Sequence, residues 1–458
     1  MLSLWLNEGD RLWSFAIILI MEHIGGIRLV SIDQLVEEII IMILNEKYFI
    51  GMLILLTINN LSLIISASTL AICILIKETE MQQPFKIIST AYSLKYFFYI
   101  ICLILAILTC SMSCLASGMQ KNILTKDWIV VLAQKDNLPL SETNATMKTI
   151  DLSSSVISPF IAGLIINKIG YLIACFIFII YNLFDENELF LSVKKSLAMN
   201  KWGLKTIRRN FVLYRRQPIF SAAFGLTLLY MTVLGFDGIA VGYGKSQGLP
   251  EMWLGILRSI GSIFGILGAI VYVALENFIG VRRTGLIGFL AQQFALYICI
   301  LSIWLPGSPF DPVKYFRDIT ANIWWEKFKN SFKISYNQNG FNQSSTISTW
   351  LLPSNKNIEW SSWTVNGHSI ISVSTLLIGI AISRFGLYMV DLSVTQIMQE
   401  KIPERHRGTV FGVQESIAHF FSVIKDLLVI ILPDPMIFGL LIILSVTFVV
   451  SGALSYVQ

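Results

Sequence analysis

The sequence predicts an all-α polytopic membrane protein with about twelve transmembrane helices in two six-helix halves. Three observations carry this reading. The first is composition: of 458 residues, 55% are hydrophobic and only 14% charged, and the mean hydropathy is +0.68. A soluble domain carries roughly 25% charged residues, and a soluble chain this apolar would expose patches that aggregate. In a bilayer the same composition is required, because lipid-facing side chains must be apolar and each backbone group must bond within its own helix. The second is recurrence: apolar runs near the roughly 20 residues that a span needs repeat along the chain. The third is that strongly basic loops alternate with basic-poor ones.

Clear runs lie at 48–76, 91–118, 220–242, 254–274, 285–305, 370–394, 408–432 and 437–457, with weaker ones at 4–21, 35–44, 152–166 and 170–183. The run 35–44 is too short to span unaided. The run 170–183 is also short and is followed by the acidic Asp185-Glu186-Asn187-Glu188. Residues 194–216 hold eight Lys or Arg and no acid, and Arg282-Arg283 and Lys401, Arg405 and Arg407 mark two further basic loops. The positive-inside rule places these loops in the cytoplasm, and with twelve spans both termini are cytoplasmic too. The expected organisation is a first half over 1–190, a basic linker over 191–217 and a second half over 218–458. That is the plan of the major-facilitator transporters, whose sites lie between halves near the midplane.

The polar loop 306–367 is expected outside, where Asn342-Gln343-Ser344 is a glycan acceptor. The Asn144-Ala145-Thr146 sequon falls on the cytoplasmic side and is expected to stay bare. All six cysteines sit in apolar runs without metal-binding spacing, which reads as buried thiols. No nucleotide loop, nucleophile elbow or HExxH is present, so neither enzymatic activity nor a resident cofactor is expected.

The chemistry therefore rests on polar residues inside apolar runs, which are costly there and are usually functional or paired. Asp10 and Arg11 lie in the first run: either an interfacial pair or a ligand carboxylate with its neighbour. Asn59 and Asn60 lie deep in the third, with interhelical hydrogen bonding as the plainer role. Asn182 sits in the short sixth. Asp151 opens the fifth, as a helix cap or a gate. Asp237 is flanked by Gly235 and Gly238, which points to an unwound helix with free carbonyls. Arg384 and Asp391 share one face of the tenth run and are expected in ion pairs across helices. His419 and Asp426 share a face of the eleventh, beside Lys425, and form a candidate metal or proton site.

The segments Gly9-Asp10-Arg11-Leu12-Trp13, Asp127-Trp128-Ile129-Val130-Val131, Leu229-Tyr230-Met231-Thr232-Val233-Leu234-Gly235-Phe236-Asp237, Arg283-Thr284-Gly285-Leu286-Ile287, Arg384-Phe385-Gly386-Leu387, and Asp391-Leu392 with Val394-Thr395-Gln396 together resemble the ferroportin family of iron exporters, within the major-facilitator superfamily. The resemblance implies export of Fe²⁺ and related divalent ions from the cytosol by alternating access, with one metal site in each half. The first would use Asp10, with Asn182 and Asn59 near it; the family's His one turn later is Ser14 here. In the second half a family Cys is Gly238 and a family His is Lys425, so Asp237, His419 and Asp426 become the candidate ligands. The same Cys is central to inhibition by the peptide hormone hepcidin in vertebrates, so Gly238 argues against that regulation. Where the family's second span ends in an acidic Gly-Asp-Trp-type motif, this chain has Ile43-Leu44-Asn45-Glu46-Lys47. The resemblance implies a multi-pass protein of the plasma membrane. Without it, the residues fit equally a proton-coupled exporter of another small solute, or a truncated membrane protein that transports nothing.

Overall fold

A computed structural model describes residues 8–44, 48–49, 52–82, 89–122, 139–186, 198–199, 204–235, 238–330, 363–365 and 368–457. Helix α1 (Glu8–Leu44) takes in residues 8–21 of the first predicted span and the whole of the second. The sequence reading separates 4–21 from 35–44; the intervening residues are instead helical on either side of Gly26, which gives the second leg the length that ten apolar residues lacked. Its 37 residues would run to about 55 Å at 1.5 Å per residue, far beyond the roughly 30 Å of a hydrocarbon core. The break falls at Gly26 (φ 69°, ψ −171°), a backbone conformation that side-chain-bearing residues rarely adopt. Each leg is then one crossing.

The first half continues with a two-residue strand β1 (Tyr48–Phe49), α2 (Met52–Gln82), α3 (Ser89–Asn122), α4 (Leu140–Ile169) and α5 (Tyr171–Glu186). Strand β2 (Ala198–Met199), antiparallel to β1, and the basic helix α6 (Leu204–Arg215) lie in the predicted linker. The seventh crossing is broken into α7 (Phe220–Leu228) and α8 (Gly238–Ser246). Between them residues 229–235 are not helical, and side chains take up freed backbone groups: Val233 N–H donates to Ser445 Oγ at 2.9 Å and Leu234 N–H to Thr232 Oγ1 at 3.0 Å. Irregular backbone at membrane depth needs such partners. Then come α9 (Glu251–Ile279) and α10 (Val281–Leu301).

The predicted outer loop is not wholly irregular. It contains α11 (Pro312–Asp318), α12 (Ala321–Asn330) and a two-residue hairpin of β3 (Thr364–Val365) with β4 (His368–Ser369). Helix α12 sits on the bundle end: Trp324 donates to the Ile431 carbonyl at 2.7 Å, Lys327 pairs with Asp434 at 3.0 Å, and the Arg28 guanidinium lies 5.3 Å from the centre of the Phe328 ring. The chain closes with α13 (Ile371–Lys401), α14 (Glu404–Ile431) and α15 (Pro435–Val457).

Eight described helices are long and apolar enough to cross a membrane. The second leg of α1, the short α5, the α7–α8 pair and the polar-studded α14 complete the twelve crossings. Without a hydrophobic drive between helices in lipid, close packing at small residues holds such bundles together. Here a Cβ on Gly386 would lie 2.4 Å from the Gly288 carbonyl oxygen, and one on Gly255 would lie 2.4 Å from that of Pro159. Those contacts press α10 against α13, and α4 against α9. The second pair joins the two halves.

Candidate functional site

Two sets of polar contacts bind the halves together, near opposite ends of the bundle. At the end that carries the basic loops, α4 meets α13. Lys148 Nζ lies 2.6 Å from Asp391 Oδ2 and 4.5 Å from the centre of the Tyr388 ring, and the Asn144 amide donates to Gln399 Oε1 at 2.6 Å. At the other end Lys245 of α8 reaches into the first half. It is 3.0 Å from Glu22 Oε2, and it donates to the Leu19 carbonyl at 2.8 Å and to the Tyr171 hydroxyl at 2.5 Å.

Between these ends lies a cavity of about 160 Å³ walled by α1, α4, α9 and α13. Arg11, Ser155, Arg258, Ser262, Arg384 and Tyr388 face it. Arg11 donates to the Asp151 carboxylate and to the Ser155 hydroxyl, and Lys121 of α3 reaches the other Asp151 oxygen at 2.8 Å. Asp151 thus joins three helices of the first half. The sequence reading put it at the start of a span, as a cap or a gate. It lies well inside α4, because that helix begins at Leu140, and it caps nothing.

The other predicted residues separate. Asp391 makes its ion pair across helices with Lys148. Arg384 makes no ion pair among the described residues and faces the cavity instead. Asn59 is fully buried, and its Oδ1 accepts from Ser113 at 2.5 Å; it does not line the cavity. Asn144 is buried and hydrogen-bonded, which leaves no room for a glycan. Asp10 and Asn182 lie on α1 and α5, but their side chains fall outside the described residues, as do Asp237 and Asn342 altogether.

His419 and Asp426 are not brought together. His419 Nδ1 meets the Glu38 carboxylate on the second leg of α1, with Glu415 4.0 Å from its other nitrogen, while Asp426 lies 3.5 Å from Lys425. Two turns of helix separate the two side chains, and each has a nearer ionic neighbour. The nearest ionic partners of the two side chains thus differ, Glu38 for His419 and Lys425 for Asp426, although Lys425 also acts on the charge of Glu38. Among the described residues, no three or more His, Cys, Asp or Glu side chains are grouped to hold a metal ion. Glu38, Lys148, Lys245 and Arg258 escaped the sequence reading. Their signal was available: each is a charge within or beside an apolar run.

Two six-helix halves, ion pairs between them near both ends and a polar cavity at mid-depth define a membrane protein of the major-facilitator type. A bacterial homologue of the iron transporter ferroportin, in its inward-facing state, matches the fold with a TM-score of 0.64 over 99% of this chain and 95% of its own, at 17% identity. The model of the family described as Ferroportin1 (FPN1) matches residues 2–187 and 185–449, and the chain belongs to that family. Among its relatives, rat ferroportin is 32% identical over 72% of this chain and 67% of its own length. Human ferroportin is 29% identical over 99% of this chain and 88% of its own. The human alignment runs over 524 positions against a chain of 458, so it carries internal gaps on this chain's side.

Proposed function

We propose that this protein exports ferrous iron, and related divalent metal ions, from the cytosol across the plasma membrane by alternating access. The observation that carries the reading is family membership over nearly the whole chain, joined to a polar cavity between the halves. Relatives bear the name ferroportin, and a second structure of this fold is a bacterial metal transporter (TM-score 0.63). Asp10 is the carboxylate proposed to receive the ion, with the Asn182 amide as its neighbour; Asn59, which accepts from Ser113 away from the cavity, stands apart. Asp10 precedes Arg11, which borders the cavity.

The halves would rock about the site. When the Lys148–Asp391 and Asn144–Gln399 contacts part, the end with the basic loops opens. When Lys245 leaves Glu22 and Tyr171, the other end opens. Binding must stay loose, since an ion held tightly never leaves. The basic loops are assigned to the cytoplasm by their charge, and both termini by the count of twelve spans. The test is metal efflux from proteoliposomes. Asp10→Ala should abolish efflux while the protein remains monodisperse; undiminished efflux by that variant would remove Asp10 from the path.

A further inference from the structure

Helix α6 of the basic linker is fastened to the second half along one face. Tyr214 is 1% exposed; its hydroxyl donates to Gln414 Oε1 of α14 at 2.5 Å, and its ring meets that of Phe220 edge-on at 5.3 Å. Gln414 in turn donates to the Ala223 carbonyl at 2.9 Å. These partners fix the height of α6. Phe220 opens α7 and Ala223 lies in its first turn, so the end of α6 sits level with the start of a crossing, at the surface of the bilayer.

The other face of α6 is open. Phe211 is 45% and Val212 39% exposed, and Arg209, Arg215 and Arg216 are exposed with them. Arg215 follows Phe211 by four residues, and Arg216 follows Val212 by four, so each apolar side chain has an arginine one turn on along the same face. The Arg216 N–H donates to the Val212 carbonyl at 3.1 Å, which carries the helical register through to Arg216. A face that met only water would have no use for Phe211 and Val212. A face laid on a bilayer uses both kinds of side chain: the apolar ones enter below the headgroups, and the arginine stems bend up to leave their charges at headgroup level. The guanidinium fork matches phosphate oxygens, and anionic lipids of a cytoplasmic leaflet attract basic segments beside a crossing.

We propose that the open face of α6 is a docking surface for anionic phospholipid, with Phe211 and Val212 in the bilayer and Arg209, Arg215 and Arg216 on the headgroups. The linker between the two halves is thereby tied to the membrane at the end that carries the basic loops. The inference is independent of what the protein carries.

The test is energy transfer from the protein's tryptophans to dansyl-phosphatidylserine, and separately to dansyl-phosphatidylcholine, titrated into the purified full-length protein in neutral detergent. Wild type should bind the serine lipid more tightly than the choline lipid. Each arginine lost should weaken binding of the serine lipid about fivefold, and Arg209→Gln, Arg215→Gln and Arg216→Gln together about a hundredfold, which removes the preference. Phe211→Ser with Val212→Ser should weaken both lipids alike. Arg282→Gln with Arg283→Gln, in another basic loop, should keep the preference. Equal binding of the two lipids by wild type overturns the proposal. So does a preference that survives in the monodisperse triple variant, or one that the Arg282 and Arg283 substitutions abolish. Displacement of the serine lipid by an equal concentration of soluble glycerophosphoserine overturns it too, since the site would then take a free anion rather than a lipid surface. Metal efflux is not read in this experiment, so its failure leaves the transport reading untouched.

Discussion

The Lys148–Asp391 pair offers a quantitative test of how the halves are held. The contact is 2.6 Å, with the side chains 20% and 28% exposed. At an effective dielectric constant of 20, Coulomb's law gives 332/(20 × 2.6), or about 6 kcal/mol of gross attraction. Desolvation and side-chain ordering cancel most of it. Exposed pairs are worth about 0–1 kcal/mol, whereas breaking a fully buried pair costs about 3–5 kcal/mol. A pair about a quarter exposed falls between, at about 2 kcal/mol, or roughly thirtyfold in a two-state equilibrium. Lys148 also lies over the Tyr388 ring, so a single substitution removes more than the pair. The assay is a double-mutant cycle of Lys148→Gln, Asp391→Asn and both together, read by thermal unfolding in detergent. The expected coupling is about 2 kcal/mol. Additivity within about 0.5 kcal/mol, as for independent sites, would refute the claim that this pair joins the halves. Loss of the latch should also raise the accessibility of the basic-loop end to a thiol reagent at an engineered cysteine.

Two further outcomes are expected. Gly238→Cys would set its Cβ 2.6 Å from Val30 Cγ1 and 2.9 Å from Gln34 Cδ. Such overpacking costs about 1–3 kcal/mol, so its melting point should fall and should recover when Val30→Ala is added; an unchanged melting point would show that the second leg of α1 yields freely. For orientation, glycosidase should shift the mobility of wild type and not of Asn342→Gln, whereas a glycan on Asn144 would invert the topology.

Much of the architecture could be read from the chain alone, and for a physical reason. A bilayer forces every span to satisfy its own backbone and to present apolar side chains, so span number and the two-half plan are written in local composition. Loop charge gives an expected orientation, which the glycosidase experiment tests, and Gly235 and Gly238 mark the end of the break over 229–235 and the start of α8. The family, too, was readable from contiguous runs such as that ending at Asp237. Tertiary structure decided what depends on which helices meet. It carried the short 35–44 run back to Gly26 as a full leg, gave Asp391 to Lys148 and sent His419 to Glu38 rather than toward Asp426. It also drew Arg11, Arg258 and Arg384 from three helices to one cavity. No spacing in the sequence announces that convergence: these arginines are more than a hundred residues apart, and only the packing of α1, α9 and α13 sums their charge in one place.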